Sequence, residues 1–190
     1  MVNIILSSFA VIFLAEMGDK TQLMTMSFSA KYGISTTLKA IFIAILINSF
    51  IAVAVASFIF SMFHGNIIQV ISCIVFIGFG VWNLINQKDK DEKKKEEKVI
   101  LNPLVTIAAF FIISEAGDKT QIATMLLSIQ TNTAVPVFIG ASAGLFAANI
   151  IGALVGGYLG KKMPEKMIKI VSAIVFILIG IAGLIKIYIA

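Results

Sequence analysis

Four carboxylates set in apolar sequence carry the chemistry available to this chain. They fall in two nearly identical heptapeptides, EMGDKTQ at residues 16–22 and EAGDKTQ at 115–121. Of ten acidic residues, only Glu16, Asp19, Glu115 and Asp118 lie in apolar surroundings; the rest belong to polar connecting stretches. A bilayer keeps few ionisable groups, and those it keeps face a partner, a cavity or an ion. Each ionised carboxylate at a helix centre costs about 2.5 to 3.5 kcal/mol on insertion scales, so something must neutralise four of them.

On a continuous helix, Glu16, Asp19 and Lys20 share one face, and Glu16 with Lys20 makes an i,i+4 pair; Glu115, Asp118 and Lys119 repeat the pattern. Four negative and two positive charges leave a deficit that one divalent cation, or two protons, would balance. Gly18 and Gly117 weaken the helix just before each aspartate and act as candidate hinges, since a local opening frees carbonyl oxygens. Thr21, Gln22, Thr120 and Gln121 add neutral oxygens, completing the oxygen-dominated shell that hard divalent ions such as magnesium, calcium and manganese prefer. Met26 and Met125 recur in register and could add a softer ligand, although methionines at helical spacing more often pack. Asn48 and Asn149 are further supporting candidates, one position out of repeat register.

The surrounding elements must be membrane helices. The chain is 59% hydrophobic, with a mean hydropathy of +1.01. Apolar runs at roughly 2–27, 36–62, 67–86, 100–127, 134–160 and 165–189 each suffice to span about 30 Å at about 1.5 Å per residue. The expected fold is an all-α integral membrane protein with six transmembrane helices. The first run has no basic residue ahead of it and carries an acidic motif, so it reads as a working helix and not as a cleaved signal.

All 15 basic residues are lysines. Lys31 and Lys39, the cluster from Lys88 to Lys98, and Lys161, Lys162, Lys166 and Lys169 follow the first, third and fifth runs, whereas the opposite side has only Lys186 and His64. The positive-inside rule therefore puts both termini outside and the charged segment in the cytoplasm. Insertion explains the basic surplus, and KDKDEKKKEEK reads as a solvated linker with no nucleic-acid role. Cys73 is single, as is His64, so no disulfide framework, thiolate metal cluster or histidine-based triad is expected. No nucleophile has a matched base, so no enzyme and no cofactor is expected.

The repeat extends beyond the heptapeptides. EMGDKTQLMTM aligns with EAGDKTQIATM, and VISCIVFIGFG at 70–80 with IVSAIVFILIG at 170–180. Residues 1–86 and 100–190 are thus two three-helix units joined by the linker at 87–99, together one transport domain. Three being odd, the second unit enters the membrane from the opposite side, giving an inverted repeat of the kind common in secondary transporters, with sites at the midplane. Ala40, Ala44, Asn48, Ala52 and Ala56, and likewise Gly140, Gly144, Ala148, Gly152, Gly156 and Gly160, form small-residue ridges suited to close helix packing or a homodimer seam.

With these residues in view, the chain resembles a family of small membrane divalent-cation/proton exchangers bearing two copies of E-x-G-D-[KR]-[TS]. Its members include bacterial manganese exporters and eukaryotic Golgi calcium and manganese transporters. The resemblance covers essentially the whole chain. It implies that Glu16, Asp19, Glu115 and Asp118 bind the ion, that Mn2+ or Ca2+ leaves the cell against H+ by alternating access, and that the protein sits in a prokaryotic plasma membrane. Two other readings are an exporter of amino acids or other small zwitterions, which would want an arginine that the chain lacks, and a non-transport scaffold, for which twin acidic motifs are needless.

Overall fold

A computed structural model describes residues 1–17, 19–62, 65–85, 102–158 and 165–189. Gly18, His64 and the charged linker lie outside them. The described residues are helical throughout, in the order α1 (Val2–Glu16), α2 (Lys20–Tyr32), α3 (Ile34–Met62), α4 (Gly65–Ile85), α5 (Pro103–Glu115), α6 (Lys119–Thr131), α7 (Ala134–Tyr158) and α8 (Glu165–Ile189). The helices Ile34–Met62 and Ala134–Val155 are each long and apolar enough to cross a membrane, and α1 with α2 adds a third span if that bent pair counts as one. Phe50, Phe58 and Ile113 are among many large apolar side chains facing outward. A water-soluble domain does not leave so much apolar surface uncovered, so this is an all-α membrane protein.

The runs expected at 2–27 and 100–127 are not single helices. The first breaks after Glu16 and resumes at Lys20 with a bend of 75°, then continues to Tyr32. The second breaks after Glu115 and resumes at Lys119. Hydropathy averaged over a span-length window does not resolve such a break. Elsewhere the local signals are the ordinary ones. Asn102 accepts from the Leu104 N–H at 3.0 Å with Pro103 at the first position of α5, and Gly33 takes φ +84° to separate α2 from α3.

Packing exchanges the two repeats. α1 and α2 lie against α7, while α5 and α6 lie against α3. The glycine ridge of α7 makes this possible: a Cβ on Gly140 would strike the Ile5 carbonyl, and one on Gly144 would come within 2.6 Å of the Phe9 carbonyl. That ridge is therefore used inside the chain, at α1, and it lets backbones meet without a hydrophobic driving force. α4 and α8 close the opposite side as a mirrored pair. Phe76 meets Phe176 with ring centroids 5.7 Å apart, Gly80 faces the Ala173 carbonyl, and Gly180 faces the Cys73 carbonyl.

Candidate functional site

Each acidic motif is built on a helix break, and the two breaks are nearly the same. Glu16 and Glu115 are the last residues of α1 and α5. The chain then turns so that Asp19 N–H donates to the Glu16 carbonyl at 3.1 Å and Asp118 N–H to the Glu115 carbonyl at 3.0 Å. Gly117 supplies φ +75° for its turn, a conformation that side chains rarely adopt. Both aspartates are extended, at φ −80°, ψ 169° and φ −74°, ψ 167°, and start α2 and α6.

The break decides which charges meet. Because Glu16 and Lys20 are no longer on one continuous helix, the expected i,i+4 pairs within each motif do not form. Instead the lysines cross: Lys20 Nζ lies 3.4 Å from Asp118 Oδ1, and Lys119 Nζ lies 3.3 Å from Asp19 Oδ1. The two motifs thus form one charged layer.

The glutamates lie deepest in it, at 0% and 2% exposure. Thr21 donates to Glu16 Oε1, and Thr120 donates to Glu115 Oε2 at 2.8 Å, so each threonine bridges its own break. Glu16 is within electrostatic reach of Glu115 and Asp19, and Glu115 of Asp118 and Asp19. One oxygen of every carboxylate, Glu16 Oε2, Asp19 Oδ2, Glu115 Oε1 and Asp118 Oδ2, is buried with no hydrogen-bond partner among the described residues. Leaving a buried acceptor unpaired costs on the order of 1–3 kcal/mol, more for a charged one. Among the described residues, no three acids, histidines or cysteines are gathered so that they could hold a metal ion as they stand. The aspartates hold lysines instead.

The supporting residues divide. Gln22 donates to the Ala148 carbonyl at 2.8 Å across the repeats, and Asn149 accepts from Thr25 at 2.6 Å, so Asn149 joins α7 to α2. Asn48 does approach a glutamate: with Ser49, Glu115, Gln121 and Thr124 it lines a small cavity between α3, α5 and α6. Met26 is buried in the core. Ser49 is the residue that motif reading overlooks, because a lone serine in an apolar run carries no pattern. Gln22 also rests on Gly152, where an added Cβ would come within 2.7 Å of its Cγ. Gly152→Ala is expected to cost about 1–3 kcal/mol through this overpacking, read as a lower midpoint of thermal unfolding in detergent.

Comparison with known proteins identifies the family. The sequence profile of the family described as "Divalent cation/proton antiporter GDT1" matches residues 4–91 and 103–189. The chain is 31% identical to the "Putative manganese exporter" of Vibrio cholerae over 182 residues, covering 95% of this chain and 90% of that protein. It is 26% identical to "Protein PAM71, chloroplastic" of Arabidopsis thaliana, covering 90% of this chain and 54% of that longer protein. A "GDT1-like protein" of Schizosaccharomyces pombe is 22% identical, with coverage of 92% and 86%. No solved structure matches. The family is one of antiporters and not of enzymes, and the doubled acidic motif lies within both matched stretches: the chain belongs to the GDT1 family of divalent cation/proton antiporters.

Proposed function

We propose that the protein exports a divalent cation, Mn2+ before Ca2+, in exchange for H+, by alternating access at the layer formed by Glu16, Asp19, Glu115 and Asp118. The observation that carries this reading is the set of four buried carboxylate oxygens, one per acid, left without partners between motifs that their lysines tie together. A hard doubly charged ion supplies what those oxygens lack. It binds as Lys20 and Lys119 give up their aspartates, and it leaves when protons take its place.

The exchanged packing of the repeats supports six spans arranged as an inverted repeat, with α1 plus α2 and α5 plus α6 each acting as one broken span. Broken helices at midplane are how secondary transporters line an ion site. The lysine distribution supports both termini outside and the charged linker in the cytoplasm of a prokaryotic cell. Manganese before calcium rests on the Vibrio cholerae relative, whose name specifies manganese.

The test is uptake by proteoliposomes holding the purified chain. Mn2+ uptake is expected to follow an imposed pH gradient and to alkalinise the lumen in step with metal entry. Absence of flux for Mn2+ and Ca2+ alike, with or without the gradient, would refute the reading.

A further inference from the structure

The two motif glutamines sit differently. Gln22 occupies the notch over Gly152 on α7. On α3 the ridge residue in register with Gly152 is Ala52, buried at 1% exposure. Gln121 turns back instead, its Oε1 accepting from the Gly117 N–H at 2.6 Å. Gln121 lines, with Asn48, Ser49 and Glu115, a cavity of ≈ 10 Å³. That is about the room one water needs.

Three polar atoms around this cavity are buried without partners among the described residues: Asn48 Nδ2, Ser49 Oγ and Glu115 Oε1. Asn149, one position out of register with Asn48, differs: both ends of its amide are engaged, donating to the Leu145 carbonyl at 2.9 Å and accepting from Thr25. We propose that the cavity is a water subsite beside Glu115, through which the bound cation keeps one molecule of its hydration shell. A water here accepts from Asn48 Nδ2, donates to Ser49 Oγ and to Glu115 Oε1, and keeps one lone pair for the ion. Hard divalent ions accept such mixed shells of carboxylate and water. The part played by the ion rests on the transport reading above; the water itself does not.

Two measurements test this on the full chain. X-ray radiolysis generates hydroxyl radicals from bound water, so Phe111, lining the cavity at 1% exposure, should label above Phe76, which is equally buried in the α4–α8 seam. Ser49→Val fills the cavity with methyl groups and should return Phe111 to the level of Phe76. In proteoliposomes the same variant should raise the KM for Mn2+ about tenfold, the worth of one hydrogen bond to a charged group. Ser49→Ala, which keeps the room but drops one partner, should raise it less. Labelling of wild-type Phe111 no stronger than Phe76, or a Ser49→Val protein whose KM is unchanged, would overturn the proposal. If the wild type moves no metal, the transport reading falls while Phe111 labelling still decides the water.

Discussion

Replacing Glu115 with Gln is expected to lower Mn2+ transport by at least about 100-fold while the protein remains folded. The side chain keeps its shape and its acceptor for Thr120, so the break between α5 and α6 is preserved. What disappears is one of four negative charges in a buried layer, together with the unpaired oxygen that faces the cavity. Changes in groups that merely orient metal ligands already cost about 10- to 100-fold, and a direct ligand costs more. Glu16→Gln should do the same, its carboxylate being equally buried and held by Thr21. Proteoliposome uptake, paired with a thermal-unfolding midpoint, checks both halves of the statement. Transport within a few-fold of wild type for either variant would remove the glutamates from the ion site.

The crossed lysines should have unequal effects, in an order that sequence cannot supply. Lys119, whose side chain is 17% exposed, pairs with an equally covered Asp19, whereas Lys20 is 40% exposed beside Asp118. Removing one member of a covered pair leaves a charge without compensation, whereas the partner in a more open pair has room to turn toward water. Lys119→Gln is therefore expected to cost about 1–3 kcal/mol of stability, and Lys20→Gln less than about 1 kcal/mol. Adding Asp19→Asn to Lys119→Gln should recover much of the loss, because the stranded charge is then gone. Both single variants leave the layer more negative, so Mn2+ should bind more tightly and leave more slowly. Equal stability losses for the two lysines, or transport unchanged across pH, would contradict this account of the pairs.

Much of the site was legible because buried charge in apolar sequence is rare and doubled spacing rarer still. EMGDKTQ and EAGDKTQ marked the residues that the fold brings together, and the long apolar runs announced membrane helices. The pairing was not legible. An i,i+4 spacing invites a bond between Glu16 and Lys20, and only the break after Glu16 turns Lys20 toward Asp118. Glycine lowers helix propensity by about 1 kcal/mol, which permits a break without requiring one. Asn48 and Asn149 looked interchangeable on paper. They have different surroundings because α2 brings Thr25 to Asn149, whereas Asn48 borders the cavity beside Glu115. Gly152 was visible as a letter, but its role depends on Gln22 from another helix coming to rest on it.

The exchange of α1 and α2 onto α7, and of α5 and α6 onto α3, makes the duplicated chain a single cooperative fold and not two small ones joined end to end. Either half made alone would leave its longest helix stripped of the neighbours that cover its small-residue ridge. Its lysine would lack the opposing aspartate as well. Two such halves would have to clasp one another before either could settle, so the duplication yields an interlocked whole that neither copy can form by itself.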